Sequence, residues 1–86
     1  MSAVLQLERL LALAEQMGYR IRYENFGGSG GGRCEFGGQR YLFVDLALNT
    51  IEQLEQVRSA LGQDPGLPLA NLPLALRSDL GLTTGS

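Results

Sequence analysis

Arg33-Cys34-Glu35-Phe36-Gly37-Gly38-Gln39-Arg40-Tyr41-Leu42-Phe43-Val44-Asp45 is a pair of alternating runs around two glycines. A Gly-Gly pair between alternating runs is a strong signal for a two-residue hairpin turn. Such a turn fixes the register: Phe36 pairs with Gln39, Glu35 with Arg40, Cys34 with Tyr41 and Arg33 with Leu42. The Glu35–Arg40 pair sets opposite charges across the strands, worth about 0.2–1 kcal/mol. The register also sorts faces. Cys34, Phe36, Tyr41 and Phe43 share one, which reads as the core face. Arg33, Glu35 and Arg40 share the other. The end of the second strand, from Leu42 to Leu46, is apolar on both sides, so cover on both faces is expected there.

Upstream lies the run Gly27-Gly28-Ser29-Gly30-Gly31-Gly32. Five glycines in six residues cost much backbone freedom on folding. Before the run, residues 19–26 alternate, with Tyr19, Ile21 and Tyr23 on one side and Arg20, Arg22 and Glu24 on the other, as in a half-buried strand. Residues 2–17 carry Leu7, Leu10, Leu11, Leu13, Ala14 and Met17 at helical spacing, and Gly18 suits the position after the last turn. Downstream, residues 49–61 read as a second helix. Asn49 is its cap, Glu52 completes a capping box, and Ile51, Leu54, Val57 and Leu61 form its apolar stripe.

Residues 63–86 change character. Pro65, Pro68 and Pro73 break regular structure, yet seven leucines make the segment apolar. A short helix over 72–80 and a frayed end over 83–86 are expected. The fold class is therefore α+β, in the order α-β-β-β-α. The sheet is expected to be a three-stranded antiparallel meander with the helices on one face. Residues 1–62 make the domain. Residues 63–86 make an arm that crosses the second sheet face or reaches a partner chain.

Composition excludes more than it identifies. Eighty-six residues allow one core, and a small core favours association that buries more surface. A net charge of −2 argues against a dedicated nucleic-acid binder. The chain has no lysine and no histidine. That removes lysine Schiff bases, the P-loop lysine, Ser-His-Asp and Cys-His catalysis and histidine-bound zinc. One cysteine makes no internal disulfide and suits a reducing compartment. The first residues do not form a signal peptide, and no run has the length of a membrane span. A soluble, cytoplasmic protein without cofactor or bound metal is the expectation.

The candidate ligand-binding residues are Gly27, Gly28, Ser29, Gly30, Gly31, Gly32, Cys34 and Asp45. A concave run of backbone N–H groups can hold an anion. The bland reading of the run is a permissive hairpin connection or a flexible linker. Cys34 reads first as a buried structural thiol and second as a nucleophile that lacks a base. Asp45 ends an apolar strand near the loop, where its carboxylate can accept loop N–H groups. The arginines at 20, 22, 33 and 40 interleave with Glu24 and Glu35, as in a cross-strand ion-pair lattice.

The helix-strand-strand-strand-helix order resembles restriction-type nuclease cores, but these need a Glu-x-Lys strand and Asp45-Leu46-Ala47 holds no lysine. Residues 34–54 are similar to the hairpin-then-helix part of a zinc-peptidase family. That family's helix carries His-Glu-x-x-His, where this one reads Ile51-Glu52-Gln53-Leu54-Glu55, so no function is carried over. The leading expectation is a small non-enzymatic interaction domain that associates with itself or with a protein partner. An anion-binding module at residues 27–32 is the alternative, and a thiol-dependent activity at Cys34 is the third reading.

Overall fold

The structure is a computed structural model and describes residues 2–82. The fraying expected at 83–86 lies outside the described residues. The first helix, α1, spans Ala3–Gln16. Ser2 caps it, its hydroxyl accepting from the Val4 amide at 3.2 Å. Three strands follow: β1, Tyr19–Glu24; β2, Gly32–Phe36; and β3, Gln39–Asp45. The second helix, α2, spans Thr50–Gly62, and both halves of the Asn49–Glu52 capping box are formed, at 2.8 and 3.0 Å. A 3-10 turn at Leu69–Asn71 and a short helix, α3, at Leu74–Asp79 complete the order.

The β2–β3 hairpin has the register set by its glycine turn, from Phe36 opposite Gln39 to Arg33 opposite Leu42. Gly37 and Gly38 have φ of +61° and +78°, as a type I′ turn requires. The meander, however, does not form. The strand order is β1-β3-β2, and β1 runs parallel to β3. The glycine run is therefore not a hairpin connection: it carries the chain past the end of β3, from one sheet edge to the other. The physical reason lies in β3. It is the most apolar strand, so it takes the centre, where both flanks are paired. β1 and β2, which alternate with charges, take the edges.

The parallel pairing also changes which side faces the helices. Partners in register share a face, so Tyr19, Ile21 and Tyr23 lie with Arg40, Leu42 and Val44. Leu42 and Val44 are fully buried and meet Leu10, Leu13 and Ala14 of α1 and Leu54, Val57 and Leu61 of α2 in one cluster. The core face expected from the hairpin is thus the wrong one. Cys34 is exposed, and Phe36 is 76% exposed. Arg33 and Arg40 lie on the helix side instead. Long side chains can do this because their charged ends reach the rim of the core, where Asp64 receives them. The expected Glu35–Arg40 ion pair does not form; among the described residues the arginine lattice on the sheet reduces to Arg22–Glu24 at 3.5 Å.

From the arm, Leu67, Leu72 and Leu80 enter the same cluster, so the described part of the arm lies with the helices. Arg9 of α1 grips Asp79 with two bonds, Nε to Oδ2 at 2.6 Å and Nη2 to Oδ1 at 2.9 Å. Arg58 of α2 donates to the Asp79 carbonyl at 2.8 Å. This fork is the planar geometry in which arginine binds carboxylate best, and it pins α3 to both long helices.

The two faces give opposite expectations for mutation. Leu42→Ala is expected to cost about 2–5 kcal/mol in a urea titration, because it opens a cavity in the packed cluster. Cys34→Ser is expected to stay within about 0.5 kcal/mol of the native protein.

Candidate functional site

The glycine loop and the end of β3 form one structure around a single carboxylate. Asp45 is buried to 0% exposure at the last position of the central strand. Its Oδ1 accepts the Phe26 amide at 3.0 Å and the Ala47 amide at 2.9 Å. Its Oδ2 accepts the amides of Gly28 at 2.9 Å and Gly30 at 3.0 Å. The remaining loop amides also have acceptors. Gly27 donates to Asn25 Oδ1, Ser29 to the Phe26 carbonyl, and Gly31 to Gln56 Oε1 of α2. Gln53 of α2 donates to the Asp45 carbonyl at 2.9 Å, so the second helix holds both the loop and the strand end.

The loop is thus a nest for an anion, and the anion is the protein's own. Burial raises the pKa of the Asp45 carboxyl, but the four backbone donors outweigh burial and hold it below its ordinary value. An added phosphate or carboxylate would have to displace Asp45 to use these amides.

The geometry also accounts for the glycines. Gly27, Gly28, Gly30 and Gly32 all have positive φ, between +67° and +127°. Gly31 is needed for a different reason: a Cβ there would sit 1.9 Å from the Phe43 carbonyl oxygen. That oxygen belongs to the central strand and cannot move aside.

A second carboxylate organises the opposite end of β3. Asp64 follows α2 and is buried. It accepts from the Tyr19 hydroxyl and from Arg40, takes the Gly66 amide at 2.8 Å, and lies 4.0 Å from Arg33. Arg40 also lies over the Tyr19 ring, 4.1 Å from its centroid, and donates to the Met17 carbonyl. Burial raises the Asp64 carboxyl; the Tyr19 hydroxyl, the Gly66 amide and the two arginines more than offset this and lower it. The sequence reading missed this cluster. Asp64-Pro65-Gly66 carries a turn signal that would have found the Gly66 bond. The bonds to Tyr19 and Arg40 cross 45 and 24 residues and have no local signal.

Cys34 sits on the open face of the sheet, opposite Tyr41, and lines a cleft there with Phe26, Gly30, Gly31 and Phe43; it makes no bond to Asp45. No described helix covers that face, and aromatic rings line it. Phe26 meets Phe43 edge-on at 5.8 Å, and Tyr41 stacks on Phe43 at 6.0 Å. Among the described residues, no three His, Cys, Asp or Glu side chains converge to hold a metal ion. No helix among them is long and apolar enough to cross a membrane.

Two measurements test the nest. Gly31→Ala is expected to unfold the protein or lower its melting temperature far more than Gly27→Ala. The latter adds a Cβ into open space and costs only backbone strain, about 1–2 kcal/mol. Asp45 and Asp64 both have lowered folded pKa values, so their contribution is complete above the unfolded carboxyl value near 4. It is lost as the pH falls through the folded values. Asp45→Asn keeps an acceptor for only two of the four amides and turns an NH2 toward the other pair. The variant is expected to melt lower at neutral pH and to lose less further stability on acidification than the native chain, read by circular dichroism from pH 7 to strongly acid solution.

Set against family models, curated proteins and solved structures, the chain matches none.

Proposed function

We propose that this chain is a small non-enzymatic interaction domain that self-associates through the open side of its sheet. The observation that carries this reading is the uncovered aromatic face. Phe36 is largely exposed, Phe26 is also exposed, and Tyr41 and Phe43 are half-covered beside them. A small domain that spends its largest apolar side chains on an open surface gains by covering them. The cost of leaving Phe36 in water is the hydrophobic contribution that association would recover. An exposed, unbridged Cys34 fits a reducing, cytoplasmic setting.

The anion-binding reading has less support, because the loop amides are already matched by Asp45, Asn25, Gln56 and the Phe26 carbonyl. The thiol reading has an accessible Cys34 but no base beside it.

Light scattering of the native chain at micromolar concentration tests the proposal. Association is expected, together with its weakening in Phe36→Ser at unchanged circular dichroism. A native chain that stays monomeric across the range overturns it.

A further inference from the structure

The edge of the open sheet carries more information than its face. β2 pairs with β3 on one side only, and all four residues from Arg33 to Phe36 are exposed. The type I′ turn closes with a bond between Phe36 and Gln39, so Phe36, Cys34 and Gly32 direct their amides and carbonyls to β3. Arg33 and Glu35 direct theirs outward, along the free edge. A cleft of about 370 Å³ lies beside the start of β2, between Gly31, Gly32 and Arg33 on one side and Gln56 and Ser59 of α2 with its cap Gln63 on the other.

Gly32-Arg33-Cys34-Glu35-Phe36 is complementary to itself when read antiparallel. A two-fold axis at Cys34 sets Arg33 against Glu35 of a second copy, and Glu35 against its Arg33. These are the residues whose backbone groups face outward, so each pair exchanges two backbone bonds, four in all. Opposite charges then stand across the junction at both places, a favourable cross-strand arrangement. Phe36 stands over Gly32 of the second copy, where no side chain competes for the space; an aromatic ring across from an edge glycine is a favourable pair. Cys34 stands against its own counterpart in the close, non-hydrogen-bonded position.

The other registers that use the same outward groups fail on charge. An axis at Arg33 sets arginine against arginine, and one at Glu35 sets glutamate against glutamate. On the second edge, self-pairing of β1 about Ile21 sets Arg20 against Arg22; the register about Tyr23 sets Arg22 against Glu24, residues that already pair within their own strand at 3.5 Å, and Glu35→Arg leaves that edge untouched. We infer that two copies of this chain join antiparallel along β2, with Cys34 on the two-fold axis, into one continuous six-stranded sheet. The aromatic faces of both copies then lie on the same side of that sheet. The inference rests on the self-association reading above and adds to it a junction along the β2 edge, which leaves the aromatic faces of the two copies side by side as one larger open surface.

Charge exchange tests it, with sedimentation velocity as the readout and melting temperature as the check on folding. Glu35→Arg is expected to weaken the dimer by on the order of tenfold or more, because it sets like charges across the axis twice. Arg33→Glu should do the same, although it also loses the approach to Asp64, so Glu35→Arg is the cleaner variant. The double variant R33E/E35R should restore association, as should an equimolar mixture of the two single variants, which can pair only with each other. Mild oxidation of the native chain with diamide, which takes up the two electrons and two protons, should link Cys34 to Cys34 in high yield. Glu35→Arg should suppress that link.

A native dimer that Phe36→Ser weakens but Glu35→Arg does not, with no rescue in the mixture, overturns the edge register and leaves the interaction reading standing. A native chain that is monomeric throughout overturns both.

Discussion

The Asp45 carboxylate is the point on which the sheet closes. It ends the central strand, and each of its oxygens takes two backbone amides, three of them from the loop that joins the two edges. Without an acceptor there, a glycine-rich arch over the strand end would leave several N–H groups unmatched beside the core. With it, those amides are matched and the arch is held across the end of β3, where β1 lies parallel to it. A buried charge is costly in isolation, but it is well compensated when every lone pair has a donor.

The design is polar at both ends of β3 and apolar between. Asp45 closes one end through amides; Asp64 closes the other through Tyr19, Arg40 and Arg33. Leu42 and Val44 lie between them, fully buried. Among the described residues, no buried side-chain nitrogen or oxygen lacks a partner. The two carboxylates therefore bracket the core without a satisfaction defect, which is what lets so small a domain hold three buried aspartates, Asp79 included.

What could be read from the sequence follows the range of the forces involved. Both long helices, the capping box at Asn49 and Glu52, and the residue-by-residue register of the β2–β3 hairpin are local, and their signals lie within a few positions. The order of the strands is not local. Alternation in residues 19–24 says that a strand forms, not which neighbour it chooses, and the antiparallel default was wrong. The face assignment failed for a related reason. Cys34, Phe36, Tyr41 and Phe43 look like a core face until Asp64, far along the chain, supplies an anchor that lets Arg33 and Arg40 turn inward. Of the candidate site, the closeness of Asp45 to the glycine loop was legible, because the hairpin register fixes where β3 ends. The contributions of Gln53 and Gln56 were not, because both stand on what reads as a solvated helix face.

The strand order also imposes a sequence on synthesis. The central strand is the last of the three to be made, and the first strand lacks its native partner until it appears. A nascent chain that has exposed only residues up to the glycine turn holds a helix and two would-be edges with no middle. The hairpin is the one part of the sheet that forms from neighbours in sequence, so it supplies the local contacts, while the pairing of β1 must wait for a closure across some twenty residues. Asp45 is the final residue of β3, so the latch of the arch arrives with the strand that the arch must cross. Until then the amides of Phe26, Gly28 and Gly30 lack the carboxylate that fixes them.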